Sequence, residues 1–426
     1  MIAAFLILAL FLLLFLGVPV AIAMGLASSA TMLLFGTQTM LSMTQKFFHT
    51  MQVYPLLAVP FFVLAGTFLT TGGVARRMID FANALVGHYR GGLAMAALLA
   101  SAFFAAVSGS APATVVAVGS VMIAGMVASG YTKNFAAGVI CNAGTLGILI
   151  PPSLVMVVYG AITESSVGKL FIAGILPGIL LTIVMMGTIT FIARRQDLPR
   201  QERASFKEVL RTFREAVWGL FLIVIILGGI YAGIFTPTEA AAVSAVYAFI
   251  IAVFVYGDIN MKQVPHVLVE AGKITVMLMF IIANAYMFAY LLTSLQIPQA
   301  ASDFIGNMGL PAWGFLLVLN LLLLAAGNFM EPTSVVLILT PIVFPIAMEM
   351  GIDPTHLGIV MVINMQIGLV TPPVGLNLFV TAGVAKMPLE DTIKAALPWL
   401  AVLLVMLMVI TFIPWISLVI PELVGA

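Results

Sequence analysis

The chain has 426 residues, of which 63% are hydrophobic and only 8% are charged. A water-soluble globular chain carries about 25% charged residues, so this composition cannot cover the surface of a soluble particle. A soluble enzyme, a nucleic-acid-binding protein and a disordered chain are therefore excluded, and a net charge of +1 gives no pull toward polyanions. Long continuous apolar runs predict an all-α polytopic membrane protein, because lipid offers no partners for open backbone groups.

The first apolar stretch, residues 2–36, has no Lys or Arg before it. A secretory signal peptide has a charged start and a short apolar region, so we predict a retained membrane segment. Gly17-Val18-Pro19 predicts a break inside this segment, because proline removes a backbone donor. The sequence leaves open whether the segment crosses the membrane once or twice.

One strongly polar segment divides the chain near its middle. Seven of the 17 basic residues lie between Arg194 and Arg214, interleaved with glutamates. The positive-inside rule places this segment in the cytoplasm, and the spacing from Glu202 to Glu215 favours an amphipathic surface helix. The stretch after Lys394 contains no Lys or Arg, so we expect the C-terminus on the opposite side of the membrane.

The two halves of the chain repeat several short motifs. Ser110-Ala-Pro-Ala-Thr-Val-Val116 matches Met330-Glu-Pro-Thr-Ser-Val-Val336 at an offset of 220 residues. Gly147-Ile-Leu-Ile-Pro-Pro152 matches Gly368-Leu-Val-Thr-Pro-Pro373 at an offset of 221 residues. A nearly constant offset predicts two homologous halves. If the linker is cytoplasmic and the C-terminus is outside, the halves run in opposite directions and form the inverted repeat typical of secondary transporters.

Polar and flexible residues interrupt the apolar segments at matching positions of both halves. The first break of each half predicts a re-entrant hairpin, and the second a helix unwound at Gly and Pro-Pro, which is tolerated only inside protein or beside a cavity. Freed carbonyls with Ser, Thr and Asn side chains suit Na⁺, and facing helix N-termini suit a carboxylate. Together they predict cation-coupled uptake of an organic anion. The alternative is that these Gly, Ser and Pro residues serve only to let the helices pack closely. The breaks are Val107–Ser110, Cys141–Thr145 and Gly147–Ser153, then Gly327–Glu331, Asn364–Gln366 and Gly368–Gly375.

Two acidic residues invite a structural interpretation as well as a functional one. Glu331 is an isolated acid in an apolar region, which in a membrane indicates function, but it also precedes Pro332 at an expected helix start. A role in a site and a role as a helix cap therefore both stay open for it. Glu239 completes a Thr-Pro-Thr-Glu capping box that starts at Thr236. The four scattered His residues and the lack of a Walker A motif predict neither a metal cluster nor ATP binding of that kind.

Three long motifs carry a family resemblance. They are Gly233-Ile-Phe-Thr-Pro-Thr-Glu-Ala-Ala-Ala-Val243, Gly327-Asn-Phe-Met-Glu-Pro332 and Leu369-Val-Thr-Pro-Pro-Val-Gly-Leu-Asn-Leu-Phe379. They resemble signatures of the large membrane subunit of TRAP (tripartite ATP-independent periplasmic) transporters, and the resemblance covers nearly the whole chain. It implies import of carboxylates across the bacterial inner membrane with a Na⁺ gradient. The implied partners are a separate small four-helix membrane subunit and a soluble periplasmic substrate-binding protein.

The resemblance also implies a scaffold part and a mobile transport part that work as an elevator. We accordingly expect N-terminal scaffold helices in residues 1–73 and a first repeat in 74–192, where an amphipathic arm precedes hairpin and broken helix. The cytoplasmic linker covers 193–215, and further scaffold helices cover 216–293. A second repeat in 294–426 contains an arm, a hairpin, a broken helix and a last helix.

By position, the resemblance implies two sodium sites and a set of substrate contacts, with no other metal and no organic cofactor. The first sodium site comprises Ser108, Gly109, Ser110, Gly144, Thr145, Gly147, Ile150 and Pro151, and the second comprises Gly327, Asn328, Gly368, Thr371 and Pro372. The candidates for substrate contact are Asn142, Ser153, Glu331, Asn364 and Asn377. The motif around Asn328 looks closest to that of C4-dicarboxylate members, with sialic acid and other sugar acids as the next candidates.

Three alternatives to this function differ in what they require. A Na⁺-coupled carboxylate carrier or antiporter of similar architecture would work without a binding protein. An intramembrane enzyme would need paired acids, a Ser-His pair or a metal cluster, and the sequence places none of these within its apolar segments. A passive channel would dissipate a gradient and would not accumulate a substrate.

Overall fold

The computed structural model of the protein describes residues 2–36, 39–196, 198–307 and 309–425, without the side chains of residues 40, 43 and 304–307. Every regular element within these ranges is a helix, so the predicted all-α class is confirmed. Among the described residues, eight helices are long and apolar enough to cross a membrane by length and composition. The long apolar runs therefore form the helices that the composition predicts.

In the part of the chain that the structure describes, ten α-helices begin before the polar linker. The break predicted in the first apolar stretch is confirmed, because Gly17 adopts a left-handed φ of 78° and Pro19 comes directly before the second helix. The helices are α1 Ile2–Phe15, α2 Val20–Phe35, α3 Met40–Thr50, α4 Ala58–Thr71, α5 Val74–Val86, α6 Gly92–Ser108, α7 Ala111–Ala128, α8 Lys133–Ala143, α9 Leu154–Thr163 and α10 Val167–Gln196. Short 3₁₀ turns lie at Tyr54–Leu57 and Gly144–Ile148.

The described residues of the second half form eleven further α-helices. They are α11 Phe206–Ile223, α12 Gly229–Tyr231, α13 Pro237–Ile250, α14 Val264–Ser294, α15 Ile297–Asn307, α16 Ala312–Gly327, α17 Pro332–Glu349, α18 Pro354–Gly368, α19 Leu376–Ala385, α20 Leu389–Phe412 and α21 Trp415–Val424. A π-helical turn at Val224–Gly228 joins α11 to α12, and another at Ile251–Val255 extends α13.

The amphipathic linker helix begins later than its charge spacing suggests. Glu202 lies in extended chain, and α11 starts at Phe206. Ser205 sets this start, because its side chain accepts a hydrogen bond from Glu208 N at 3.2 Å and so caps the first turn. The helix then continues past Glu215 into an apolar segment, so the linker and the next long helix form one element.

The order of elements recurs in the two halves. A helical hairpin (α6 and α7, then α16 and α17) is followed by a broken helix (α8 and α9, then α18 and α19) and a long helix with an internal proline (Pro177 in α10, Pro398 in α20). The Pro151–Pro152 and Pro372–Pro373 peptide bonds are both cis. Packing between the halves is reciprocal, because α8 contacts α20 as α18 contacts α10, and α7 contacts α19 as α17 contacts α9.

The two hairpins have their bases at opposite ends of α10. At the base of the α6–α7 hairpin, Gly91 N and Tyr131 Oη donate to Pro199 O at 3.3 and 3.2 Å, just beyond the end of α10. Near the base of the α16–α17 hairpin, the Phe344 ring packs against Tyr159 with centroids 6.5 Å apart. Tyr159 belongs to α9, which leads into the start of α10. The tips of the two hairpins therefore point toward each other.

Two helices outside the hairpins flank the region where the tips meet. α4 packs against α13 and α14, and α14 also packs against α2, α3 and α17. The backbone of α4 approaches the first hairpin closely at Gly66, where an added methyl group would lie 3.2 Å from Ser108 O. A side chain at this position would push α4 away from the hairpin tip.

Candidate functional site

A cavity of about 370 Å³ lies where the two hairpin tips meet α4 and α14. Ser108–Ala113 of the first hairpin and Glu331–Thr333 of the second both line it. The remaining wall is mostly apolar and includes Ile148, Leu154, Leu369 and Leu376 of the broken helices, Thr67 and Thr70 of α4, and Met277 of α14. An apolar pocket with a few convergent polar groups is typical of a small-molecule site.

The structure brings the first predicted sodium residues together at the tip of the α6–α7 hairpin. Thr114 Oγ1 donates to Ser110 O at 2.9 Å and lies 3.1 Å from Ser108 Oγ. A methyl group on Gly147 would lie 2.7 Å from Ser110 O, and one on Gly109 would lie 2.8 Å from Pro152 O. The carbonyl oxygens of Ser110 and Pro152 therefore lie against glycines, so the hairpin tip and the broken helix are in backbone contact.

Gly144 and Thr145 lie at the end of α8 and contact the neighbouring helices α7 and α18. A methyl group on Gly144 would lie 3.3 Å from Ala111 O, at the start of α7. Thr145 Oγ1 donates to Asn142 O at 2.6 Å and accepts a hydrogen bond from Gln366 Nε2 at 2.9 Å. The Thr145 hydroxyl is thus engaged within the protein at the point where α8 ends.

The second predicted sodium residues also meet, at the tip of the α16–α17 hairpin. The backbones of Gly327 and Gly368 are in contact, and Gly375 N donates to Asn328 O at 3.4 Å. A methyl group on Gly375 would lie 2.9 Å from the carbonyl oxygens of both Leu369 and Thr371. Several carbonyl oxygens are therefore concentrated in this unwound segment.

The donor set at both tips fits a hard monovalent cation. Unwound backbone carbonyls and helix C-terminal ends are the groups that hold Na⁺ in transporters with broken helices. Asn328 Oδ1 is buried and has no hydrogen-bond partner in the part of the chain that the structure describes. A buried acceptor without a partner is costly, and a bound cation would satisfy it.

Glu331 is both a helix cap and part of the cavity wall. It accepts hydrogen bonds from Ser334 N at 3.2 Å and from Thr333 Oγ1 at 2.6 Å, at the start of α17. The residue lines the cavity at the same time, so the helix cap is observed and a role in the site stays a prediction. At the matching position of the first half the chain has Ala111, so the start of α7 carries no acid.

The other four predicted substrate residues are fully buried behind the cavity. Asn142 Nδ2 donates to Gly138 O at 2.9 Å, and Asn364 Nδ2 donates to Asn320 Oδ1 at 2.7 Å. Asn377 Nδ2 reaches Cys141 O at 3.4 Å, and Ser153 Oγ accepts from Met156 N at 3.5 Å to cap α9. The structure therefore places these side chains in the packing between helices, whereas it brings Glu331 to the cavity surface.

The sequence interpretation did not identify the polar face that α4 presents to the cavity. Thr67, Thr70 and Thr71 line the cavity from this helix, and the hydroxyls of Thr67 and Thr70 donate to carbonyls one turn earlier, Val63 O and Gly66 O. Their spacing of three and four residues along one helix face is the signal that could have found them.

A family comparison covers almost the whole chain. The family described as "Tripartite ATP-independent periplasmic transporter, DctM component" matches residues 7–416. Two kinds of similarity accompany this match, one to sequenced permeases and one to solved transporter structures.

The similar permeases differ in their named substrates. The C4-dicarboxylate TRAP transporter large permease protein DctM of Pseudomonas aeruginosa is 62% identical over 402 residues, which cover 94% of each chain. The isethionate TRAP transporter permease protein DctMQ of Oleidesulfovibrio alaskensis is 40% identical, over 93% of this chain and 63% of that protein. The sialic acid TRAP transporter permease protein SiaT of Haemophilus influenzae is 34% identical, over 96% of this chain and 66% of that protein.

A solved transporter shares the fold at low sequence identity. The YdaH transporter of Alcanivorax borkumensis superposes with a TM-score of 0.59 at 16% identity, over 88% of this chain and 87% of that one. At this identity the similarity concerns the fold alone.

Proposed function

Because the chain belongs to the DctM component of the tripartite ATP-independent periplasmic (TRAP) transporters, we propose that it imports an organic acid together with Na⁺. As a TRAP large permease whose described residues form eight candidate spans, it is a multi-pass protein of the bacterial inner membrane, and its relatives are permease subunits. A C4-dicarboxylate is the first expected substrate, since the 62% identical relative is named for that class.

Two partners complete the proposed transporter. A small four-helix membrane subunit is the first expected partner, and one relative of which this chain covers 63% is named DctMQ. A soluble periplasmic protein would bind the acid outside the membrane and deliver it to the permease. The proposed permease, unlike a stand-alone carrier, depends on this delivery.

The observation that carries the proposal is the cavity enclosed by both hairpin tips. The start of α7 faces the cavity without an acidic residue, so its backbone N–H groups and the positive end of the helix dipole suit one carboxylate of the substrate. Glu331 makes the start of α17 negative and repels an anion there. The carbonyl oxygens of Ser110 and Pro152 at the first tip, and of Leu369 and Thr371 near the second, would hold Na⁺.

The arrangement of the halves supports an inverted repeat and an elevator movement. The reciprocal packing of α8 on α20 and α18 on α10, with hairpin bases at opposite ends of α10, suits two halves related by a two-fold axis in the membrane plane. The hairpins and broken helices would move as the transport part. α4 and α14 would form the fixed wall of the cavity, with Gly66 allowing the close approach of Ser108.

Uptake into proteoliposomes tests the function directly. Vesicles would contain this chain with its small membrane partner, and radiolabelled succinate or sialic acid would be added with the cognate binding protein and an inward Na⁺ gradient. We expect succinate to accumulate only with both Na⁺ and the binding protein. Accumulation of sialic acid instead would move the substrate class to sugar acids.

Two bulky substitutions locate the site within the same assay. Ser108→Leu and Asn328→Leu are each expected to lower Na⁺-driven uptake at least about tenfold, because each fills space at a hairpin tip. Ser120→Leu is the matched control, since Ser120 is exposed on the same hairpin away from the cavity. Sodium-driven flux that survives both tip substitutions would refute the site assignment.

The remaining outcomes separate the alternatives. Accumulation without the binding protein would identify a Na⁺-coupled carboxylate carrier or antiporter. Flux that only dissipates a gradient would identify a passive pore. Failure to accumulate any carboxylate, in vesicles shown to hold the folded complex, would reject the proposed import.

A further inference from the structure

Thr145 and Gln366 occupy equivalent positions in the two halves of the chain and touch each other. The offset of 221 residues that relates Gly147 to Gly368 also relates Thr145 to Gln366. Gln366 Nε2 donates to Thr145 Oγ1 at 2.9 Å, and both residues are fully buried. In a two-fold arrangement, residues that meet their own equivalents lie on the axis, so this bond marks where the halves join.

Each partner of this bond lies two residues before a glycine that touches a hairpin tip. A methyl group on Gly147 would lie 2.7 Å from Ser110 O, and one on Gly368 would lie 2.8 Å from the Gly327 carbonyl carbon. The bond therefore connects the backbone segments that lie against the two hairpin tips. Any shift of one segment relative to the other must stretch or break it.

The Thr145 hydroxyl also fixes the end of α8. It donates to Asn142 O at 2.6 Å while it accepts from Gln366, so one oxygen atom holds two broken helices together. Both residues are fully buried, so separating the groups would leave a desolvated donor at a cost in free energy. The end of α8 and the end of α18 are thus expected to keep one relative position.

We infer that Thr145 and Gln366 are positioning residues that couple cation binding at the two hairpin tips, an inference that rests on the Na⁺ coupling proposed above. A cation that orders Ser110 and Gly147 fixes the turn that contains Thr145. The hydrogen bond then fixes Gln366, and with it the contact of Gly368 with the second hairpin. Because coupling between two sites is reciprocal, a cation at either tip favours binding at the other.

Sodium activation of uptake in the reconstituted complex tests the coupling. Thr145→Val keeps the branched shape and removes the hydroxyl, and Gln366→Leu removes the amide. Each should lower the Hill coefficient for Na⁺ from above 1 to about 1 and raise the half-saturating Na⁺ concentration at least about fivefold, the lower end of typical coupling. The double variant should add little, because either change breaks the same bond. Thr145→Ser retains the hydroxyl and should restore cooperativity.

A buried threonine elsewhere provides the matched control. Thr182 on α10 is buried and donates to Gly178 O of its own helix at 2.8 Å, so Thr182→Val should leave the Hill coefficient unchanged. Thermal unfolding of each purified variant without Na⁺ identifies any general loss of folding. A lower melting temperature with an unchanged Hill coefficient would make the bond merely structural and overturn the inference.

The same experiment separates this inference from the proposed function. Uptake by the unaltered protein that does not depend on Na⁺ would reject the proposed coupling itself. Uptake that needs Na⁺ but shows a Hill coefficient of 1 in the unaltered protein would leave the proposed function standing and overturn the coupling of the two tips.

Discussion

Gly327 and Gly368 bring the second hairpin and the second broken helix into backbone contact. A methyl group on Gly368 would lie 2.8 Å from the Gly327 carbonyl carbon, and one on Gly327 would lie 3.2 Å from Gly368 Cα. Real Cβ atoms do not come as close to a backbone atom as 2.8 Å, so a larger residue at Gly368 must separate the two segments. The carbonyl groups of the hairpin tip keep their place only while both positions are glycine.

Substitution of Gly368 by alanine should therefore damage transport. The added methyl group must displace the Gly327 backbone, a change that costs about 1–3 kcal/mol in a tightly packed interior. We expect Na⁺-driven uptake to fall at least about tenfold in Gly368→Ala, measured per amount of folded protein in the vesicles.

Gly383→Ala provides the matched control for this substitution. Gly383 is helical, and a methyl group on it would meet nothing within 4 Å, so uptake should stay within about twofold and stability should rise slightly, as alanine favours helix. Full activity of Gly368→Ala would show that the contact between the two glycines is dispensable.

Glu331 should affect Na⁺ more than it affects folding. Glu331→Gln keeps an oxygen that can accept from Ser334 N but removes the negative charge from the cavity wall. We expect the half-saturating Na⁺ concentration to rise several-fold while the melting temperature changes little. Glu331→Ala also loses the cap of α17 and should cost about 1 kcal/mol of stability. Sodium titration of uptake and thermal unfolding measure the two effects separately.

Asp353 is the control for the charge of Glu331. It caps α18 through hydrogen bonds from Thr355 N and His356 N at 2.7 and 3.1 Å, and it does not line the cavity in the described part of the protein. Asp353→Asn should leave the Na⁺ dependence unchanged. If Glu331→Gln and Asp353→Asn have the same effect on the half-saturating Na⁺ concentration, Glu331 acts only as a cap.

Local chemistry in the sequence was sufficient to predict some helix starts and breaks, although the linker helix begins at Phe206 and not near Glu202. The capping box at Thr236 is confirmed, because Glu239 N donates to its side chain at 3.3 Å and Thr236 N donates to Glu239 at 2.8 Å. The interruption before Pro19 is confirmed for the same reason, since proline and a left-handed glycine act on their immediate neighbours. Such signals need no knowledge of tertiary packing.

The direction of polar side chains could not be predicted in the same way. In a soluble protein the polar face of a helix points to water, but the helices that carry Asn142 and Asn377 are apolar over most of their surface. Asn142 and Asn377 therefore gave no periodic signal that distinguishes a cavity wall from a helix contact. Only the three-dimensional packing reveals that Glu331 faces the cavity and that Asn364 bonds to Asn320 behind it.

An ion pair between α5 and the loop before α14 should contribute to stability. Arg77 of α5 pairs with Asp258, and its guanidinium lies 3.8 Å from the centre of the Tyr256 ring. The side chains are only 23% and 33% exposed, so solvent screens them incompletely. Arg77→Gln should lower the free energy of unfolding by about 1–2 kcal/mol. Arg77→Lys should recover part of this loss, because lysine keeps the positive charge but has no planar group to stack on the Tyr256 ring.

A double-mutant cycle isolates the ion pair from the ring contact. If the pair matters, Arg77→Gln combined with Asp258→Asn should be less destabilising than the sum of the single changes. Arg211→Gln breaks an ion pair with Glu208, in which the Arg211 side chain is 65% and the Glu208 side chain 50% exposed. This substitution should lower the free energy of unfolding by less than about 0.5 kcal/mol. Similar losses from Arg77→Gln and Arg211→Gln would contradict a special role for the arm contact.

Asp80 should make the stability of the amphipathic arm depend on pH. Burial raises the pKa of this carboxyl above its ordinary value of 3.8, against the opposing effect of Arg76, and Glu215 raises it further. An acid whose pKa is higher in the folded state is harder to ionise there, so stability falls as pH rises from 3.8 through the folded pKa. Thermal unfolding in detergent measures this. Above the folded pKa of Asp80 the Asp80→Asn variant should have a higher melting temperature than the unaltered protein, and below pH 3.8 the two melting temperatures should be equal.

The charged neighbours of Asp80 provide tests of opposite sign. Removing Glu215 by Glu215→Gln takes away a negative charge that raises the pKa of Asp80, so the pH at which stability declines should move down. Removing Arg76 by Arg76→Gln takes away a charge that lowers this pKa, so the decline should move up. Shifts in the same direction for both variants, or a decline that persists unchanged in Asp80→Asn, would mean that another group controls this pH dependence.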